Sequence, residues 1–183
     1  MVMPTVDTEA VVAGHVPGSP REARAKERFL AELSRLSDPF SEQTDPTHVT
    51  ASAIVVGTRG TVLHLHKRLG RWMQPGGHIN PGEAPPEASR REAIEELGLH
   101  VEHPKGGPRL IHLDVHEAAL GHTHLDLRYL LVGSADDPHP LPGESPEARW
   151  YDWEDAAMIA DEALAPALVV ARAEWISLVN DRG

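Results

Sequence analysis

Apolar residues recur every three to four positions in several stretches of the chain, which is the spacing of amphipathic helices. On this basis, helices are predicted over residues 21–36, 86–97 and 164–179. Ser19 or Pro20 suits the start of the first helix, and Gly98 suits the left-handed residue that follows the second. We expect the first helix to pack on the domain or on a second subunit, so a homodimer is one expected assembly.

Other stretches are rich in β-branched residues or alternate between polar and apolar residues, which is typical of strands. Strands are predicted over residues 49–56, 61–66, 109–116, 124–133 and 149–152. Residues 57–60 form the turn that would join the first two strands as a hairpin. The mixture of strands and helices predicts an α/β fold, in which a mixed sheet carries helices on its faces.

The pattern also divides the chain into three parts. Residues 1–19 contain glycine and proline without sustained periodicity, so they are expected to be a flexible segment. Residues 20–45 should hold the first helix and a linker, and residues 46–183 the main domain. The sequence has no internal repeat.

Composition narrows the classes of function. The chain has 183 residues, no cysteine and a formal net charge of -11. Such a charge would repel a long nucleic acid, whereas a small phosphorylated substrate stays compatible if metal ions neutralise the site locally. No apolar run is long enough to span a membrane, and the N-terminus lacks the pattern of a secretory signal. A cytoplasmic protein without disulfides or thiolate metal sites is expected.

The most informative segment is a glycine-rich loop followed by an acidic helix. Glu92, Glu95 and Glu96 would share about 100° of the helix surface. Carboxylates this close repel one another unless a cation lies between them, and Mg²⁺ and Mn²⁺ prefer oxygen ligands. The alternative is a solvated acidic surface, which is the usual explanation for a short run of charges.

The residues around this helix distinguish the two interpretations. The segment resembles the Nudix box, and every fixed position of that motif is present. The matching residues are Gly77, Glu83, Arg91, Glu92, Ala93, Glu95, Glu96, Gly98 and Leu99. Ala93 is smaller than the aliphatic residue usual at its position, which affects packing more than chemistry. The resemblance implies a Nudix-type α/β/α sandwich with an added N-terminal helix, and residues 46–183 as the Nudix domain.

The resemblance also implies a role for each residue. Glu92, Glu95, Glu96 and the carbonyl of Gly77 would bind Mg²⁺ or Mn²⁺, and Arg91 would hold the carboxylates in place. Glu83 would support the loop or bind metal through water. The implied reaction is attack of a metal-activated water on phosphorus. Glu92, Glu144 and Glu147 are all candidates for the general base, although the last two are also typical of ordinary loop acids.

Several other residues are candidates for substrate binding. Trp72 could stack on a base, although a tryptophan more often packs in a core or at its rim. His64 and His66 alternate with leucines, so both are expected on the outward face of one strand.

The run from 112 to 129 alternates between polar and apolar residues in both halves, which predicts a hairpin around Ala119. In that register, His116 would oppose His122, Asp114 would oppose His124, and His112 would oppose Asp126. These six side chains would share one sheet face. We expect His116, His124 and Arg128 to border the substrate. The alternatives are a second metal site and a hydrated face with cross-strand His–Asp pairs.

Three functions are compatible with these observations. A Mg²⁺- or Mn²⁺-dependent hydrolase acting on a small nucleotide fits the complete motif best. A sensor that binds a nucleotide without turnover would not need every carboxylate. An isoprenoid-diphosphate isomerase of Nudix type is disfavoured, because such enzymes use a cysteine that this chain lacks.

Overall fold

The computed structural model describes residues 7–181. The helices are α1 (Thr8–Gly14), α2 (Pro20–Arg35), α3 (Pro85–Leu97), α4 (Trp153–Ile159) and α5 (Leu164–Asn180). The strands are β1 (Thr47–Gly57), β2 (Gly60–His66), β3 (Arg71–Met73), β4 (Gly76–His78), β5 (Val101–Glu102), β6 (Arg109–Glu117), β7 (Thr123–Gly133) and β8 (Ala148–Tyr151). Within the described part of the chain, no helix is long and apolar enough to cross a membrane.

All of these strands belong to one mixed sheet. Its main path is β3-β2-β1-β7-β5, while β4 pairs with β1, β6 with β7, and β8 with β2. The long central strands β1 and β7 run parallel, so His48 lies beside His124 and Thr50 beside Asp126. The other pairings are antiparallel. This confirms the predicted mixed α/β fold.

Helices cover both faces of the sheet. On one face, Ala53 and Val55 of β1 pack against Ala93 and Leu97 of α3. On the other, Ile54 packs with residues of α4 and α5. Alternation along β1 therefore assigns neighbouring residues to opposite layers, and the result is the expected α/β/α sandwich.

Helix α2 packs on the chain's own domain, beside the edge strand β6. Its Phe29 is fully buried in the cluster that contains Leu113 and Leu125. Ser19 accepts a hydrogen bond from the Glu22 N–H and so begins the helix. The Glu22 carboxylate accepts a hydrogen bond of 3.0 Å from the Leu113 N–H of the strand. This contact satisfies a donor that an edge strand would otherwise leave unpaired.

Some elements were not predicted from the sequence. Part of the segment expected to be flexible forms α1, because Asp7 caps the helix and Val12 buries its side chain completely. The short strands β3, β4 and β5 and the helix α4 were also missed. Each has too few residues to show a clear period.

The predicted register of the 112–129 hairpin was wrong by two residues. The structure pairs His116 with His124, Asp114 with Asp126, and His112 with Arg128. The connection is longer than a tight turn, because it contains a 3₁₀ turn in which Leu120 adopts a left-handed conformation with φ 61°. A hydrogen bond of 2.7 Å from the Ala118 N–H to the His122 carbonyl closes this loop.

Candidate active site

The acidic helix α3 has a well-defined start and end. Pro85 and Pro86 occupy its first turn, and Gly98 adopts the left-handed conformation just after its end, with φ 61°. The loop after β7 packs against this end, since the His139 N–H donates 2.8 Å to the Leu97 carbonyl and the Leu141 N–H donates 2.9 Å to the Glu95 carbonyl. These hydrogen bonds fix the end of the helix that carries the carboxylates.

Strand β4 brings the glycine-rich loop directly under these carboxylates. The Gly76 N–H donates a hydrogen bond of 2.8 Å to Glu96. A Cβ atom on Gly77 would lie 2.6 Å from Oε1 of Glu92, so any larger residue at this position would displace the Glu92 carboxylate. The structure thus brings Gly77, Glu92 and Glu96 together, as the sequence predicted.

Arg91 connects the loop to the helix. Its guanidinium donates to both oxygens of Glu83 at 2.9 Å, to Glu92 at 2.6 Å and to Glu95 at 3.3 Å. It also donates to the carbonyl of His78 at 2.9 Å. Burial alone would raise the pKa of Glu83, but the hydrogen bond from Arg91 lowers it. Arg91 therefore holds three carboxylates in one arrangement, which fits its predicted orienting role.

The electrostatics of the cluster favour a cation. Burial, with the nearby charges of Glu92 and Glu144, raises the pKa of Glu96 to about 8, although the Gly76 N–H opposes this shift. Burial also raises the pKa of Glu92, even with Arg91 beside it. Crowded, half-buried carboxylates form an all-oxygen donor set, and such a set suits a hard divalent cation. The residues present therefore fit the metal that the motif implies.

Residues of the loop before β8 and of the end of β2 lie near the cluster. Glu144 is half-buried, and its negative charge contributes to the raised pKa of both Glu92 and Glu96. Lys67 donates to the carbonyl of Gly143 and so ties the same loop to the end of β2. His64 lies with its Nε2 atom 3.7 Å from Glu96 and is only 3% exposed. The expectation that His64 faces outward was wrong, because α3 covers that part of β2.

Comparison with known proteins identifies the family to which this fold and this motif belong. The model of the NUDIX domain family matches residues 46–173. This chain belongs to the NUDIX family. The prediction of a Nudix hydrolase is confirmed at the level of the family.

A solved structure and two curated proteins show the range of similar chains. A NUDIX-family hydrolase from Clostridium perfringens has 32% sequence identity and a TM-score of 0.56, with 68% of this chain and 93% of that chain covered. An isopentenyl-diphosphate Delta-isomerase from Frankia alni is 32% identical over 137 residues, which span 66% of this chain and 68% of the relative. An RNA pyrophosphohydrolase from Psychrobacter cryohalolentis is 41% identical over 61 residues, but these span only 32% of this chain and 35% of the relative.

The proposed substrate-binding residues lie on the other face of the Nudix sheet. Trp72 pairs with Leu65 of β2. His64, the residue before Leu65, points toward α3, so Leu65 and Trp72 face the other side of the sheet. The Trp72 ring packs edge-on against Tyr151, with the Arg149 guanidinium 4.5 Å from its centroid. This environment is that of a tryptophan at the rim of the core.

The alternating residues of β6 and β7 form a buried polar network on this second face. Arg128 is 2% exposed and donates to Asp126 at 3.0 Å, to Asp114 at 3.2 Å and to the carbonyl of Ala163 at 2.6 Å. Asp126 also accepts from Thr50 and Ser52 of β1. All three guanidinium nitrogens of Arg128 are thus engaged within the protein, which gives this residue a structural role instead of the expected substrate contact.

His116 and His124 lie on the same face, but their pKa values are shifted in opposite directions. Burial would lower the pKa of His116, but its hydrogen bond with Asp114, of 3.0 Å, raises it. Burial and the neighbouring imidazoles lower the pKa of His124 to about 4. The hydrated-face interpretation was wrong, since His112, Asp114 and Asp126 are at most 3% exposed.

Proposed function

We propose that this Nudix chain hydrolyses a phosphoanhydride bond in a nucleoside diphosphate linked to another group, or in a nucleoside triphosphate. The observation that carries the proposal is the cluster of Glu92, Glu95 and Glu96 held over Gly77 by Arg91. A binding module without turnover would not need three carboxylates whose mutual repulsion destabilises the metal-free helix.

In this proposal, Glu92, Glu95, Glu96 and the Gly77 carbonyl would hold Mg²⁺ or Mn²⁺. Such an ion supplies Lewis acidity, which lowers the pKa of a bound water and screens the charge that develops on the phosphoryl oxygens. The role of Arg91 is to keep the carboxylates in place, because it donates to Glu92 and Glu95 simultaneously.

Among the three candidate bases, Glu144 is best placed to accept a proton from the attacking water. It is half-buried, its charge acts on both Glu92 and Glu96, and its loop is anchored to the end of α3. Glu92 is already held by Arg91 at 2.6 Å, and Glu147 is ion-paired with Arg149 at 3.1 Å. We therefore assign the general base to Glu144.

The substrate class follows from charge. A net charge of -11 disfavours a long polyanion, so a small nucleotide is the proposed substrate. Its diphosphate would lie between the carboxylate cluster and the end of β2, where Lys67 donates to the Gly143 carbonyl of the loop that carries Glu144.

The test is a panel of nucleoside triphosphates, nucleotide sugars, dinucleoside polyphosphates and ADP-ribose, assayed with Mg²⁺ and with Mn²⁺. Products are separated by anion-exchange chromatography and assigned by mass. We expect at least one compound to give two phosphate-bearing products, and none to react in EDTA. Saturable nucleotide binding without any cleavage would support the sensor alternative instead.

One further compound in the panel distinguishes an isomerase from a hydrolase. The similarity to the Frankia alni isomerase makes isopentenyl diphosphate a necessary compound in the panel. This chain has no cysteine, so we expect no interconversion of the two isoprenoid diphosphates. Isomerisation without phosphate release would overturn the hydrolase proposal.

A further inference from the structure

Three imidazoles meet on the sheet face opposite the glutamates. His48 and His124 are neighbours on the parallel strands β1 and β7, and His78 on β4 lies one residue beyond Gly77. Because side chains alternate along a strand, Gly77 meets Glu92 on one side of β4 and His78 projects to the other. This histidine cluster is therefore separate from the carboxylate cluster.

The distances within the histidine cluster are those of a compact group. The ring centroids of His48 and His78 are 5.0 Å apart, those of His48 and His124 are 5.0 Å apart, and those of His78 and His124 are 5.6 Å apart. One nitrogen from each ring can be chosen so that all three lie within 4.8 Å of one another. His122 and Glu42 border the same point and form a second such group with His48.

His48 shows that this grouping is more than a crowded surface. Its side chain is fully buried, yet neither ring nitrogen has a hydrogen-bond partner. The Pro46 carbonyl lies near the ring, but the contact falls short of hydrogen-bond geometry, and this carbonyl already accepts from the Thr123 N–H at 2.9 Å. A buried polar group without a partner destabilises the folded chain, and a ligand bound at a ring nitrogen of His48 would remove this penalty.

We propose that His48, His78 and His124 bind a divalent transition metal ion of the Zn²⁺ class, at a site distinct from the carboxylate cluster. Imidazole nitrogens suit Zn²⁺, Co²⁺ and Ni²⁺, whereas Mg²⁺ takes oxygen ligands. With Zn–N distances of about 2.0–2.1 Å, tetrahedral ligands lie roughly 3.4 Å apart, so the three rings close inward by small side-chain rotations.

The fourth coordination position has protein and solvent candidates. The Glu42 carboxylate lies 3.4 Å from His78, and both side chains are about half exposed, at 47% and 48%. The site is therefore buried at His48 and open at His78, which gives an ion a path of entry. His122, whose ring centroid is 5.4 Å from that of His48, is the alternative fourth ligand.

An ion at this site would join three strands at the point where the glycine-rich loop begins. His78 also offers its carbonyl to Arg91, the residue that orients Glu92 and Glu95. The ion would therefore fix β4 from the face opposite the catalytic carboxylates. The proposal does not require the hydrolase to turn over, because metal binding is measured directly.

The test uses the full chain without a histidine tag, stripped with EDTA and dialysed. Co²⁺ is titrated by visible absorption, which distinguishes four-coordinate from six-coordinate cobalt, and Zn²⁺ is then added in competition. We expect one four-coordinate Co²⁺ per chain, displaced by Zn²⁺ and unaffected by excess Mg²⁺. His78→Asn and His124→Gln should each weaken Co²⁺ binding by at least about 10-fold, because even the loss of a residue that only hydrogen-bonds to a metal ligand can lower metal affinity by this factor.

Two variants serve as controls. His100→Asn removes an exposed histidine on the loop after α3, and Glu95→Gln removes a carboxylate of the other cluster. Both should keep the cobalt spectrum and the affinity of the parent. The proposal is overturned if no Co²⁺ binds, if both histidine variants bind it as the parent does, or if Glu95→Gln abolishes the signal. His78 is half exposed, so its variant should fold, and circular dichroism checks this.

Discussion

Gly77 lies against the carboxylate of Glu92 so closely that a Cβ atom would fall within 2.9 Å of both carboxylate oxygens. Strand β4, which contains Gly77, is held in place by its pairing with β1. Helix α3, which contains Glu92, is held in place by its packing on β1. The loop and the helix are therefore positioned independently, and their contact defines the place where phosphate chemistry would occur.

Replacing Gly77 with Ala tests this contact. The new methyl would push the Glu92 carboxylate away, since backbone and helix are both fixed, so we expect at least a roughly 10-fold loss of turnover with the fold retained. Gly14→Ala, at the end of α1, has nothing within 4 Å of its added Cβ and is the matched control. Turnover by Gly77→Ala equal to that of the parent would show that the contact is unimportant.

Divalent metal should stabilise the native chain. The folded carboxylate cluster binds the ion and the unfolded chain binds it poorly, so an ion at 100 times its dissociation constant contributes about 2.7 kcal/mol. Thermal melts in EDTA and in millimolar Mg²⁺ or Mn²⁺ measure the effect, and a rise of roughly 5–10 °C in Tm is expected. Glu95→Gln should lose most of this rise. Equal shifts in the parent and in this variant would locate the ion elsewhere.

His112 should make stability dependent on pH. Burial and the nearby Arg128 lower its pKa to about 4 in the folded chain, so unfolding takes up a proton between pH 4 and 6.5. Stability therefore falls as the pH falls through this window, by up to about 1.4 kcal/mol per pH unit for this one group. Urea unfolding in EDTA should show a correspondingly shallower pH slope for His112→Gln, and no change of slope for His100→Gln. Parallel slopes for the parent and His112→Gln would contradict the assignment.

Glu144→Gln tests the general base. Loss of a positioned base costs about 100-fold or more in kcat, and the metal-dependent rise in Tm should stay. The acidic limb of the pH–rate profile should also disappear. Glu147→Gln, in the same loop but paired with Arg149, should behave as the parent does. Equal losses in the two variants would show a general effect of the loop instead of proton transfer.

Local signals in the sequence were sufficient to predict helix α3 and the clustering of its carboxylates. Pro86 and Gly98 mark the ends of that helix, and the spacing of Glu92, Glu95 and Glu96 assigns them to one side of it. The clustering of the three carboxylates and the position of Arg91 beside them rest on such local geometry, whereas the proximity of Gly77 was implied by the resemblance to the Nudix box and depends on the pairing of β4 with β1.

Contacts between residues that are distant in the sequence could not be predicted in the same way. Alternation correctly assigned His112, Asp114 and Asp126 to one face, but their burial depends on α5 and α2, which are distant in sequence. The hairpin register depended on the length of the loop, in which Leu120 adopts a left-handed conformation that is unusual for leucine. The meeting of His48 with His78 and His124 depends on the pairing of β4 and β7 with β1, and no local pattern encodes that pairing.

The most direct measurement compares Glu95→Gln with Glu87→Gln on the best substrate of the nucleotide panel. Both glutamates lie on α3, but Glu87 is exposed in its first turn, away from the cluster. In saturating Mg²⁺ or Mn²⁺, we predict at least a roughly 100-fold loss of kcat/KM for Glu95→Gln, with product identity unchanged, and less than about a twofold change for Glu87→Gln. Hydrolysis by Glu95→Gln at the parental rate would contradict the assignment of this cluster as the catalytic metal site.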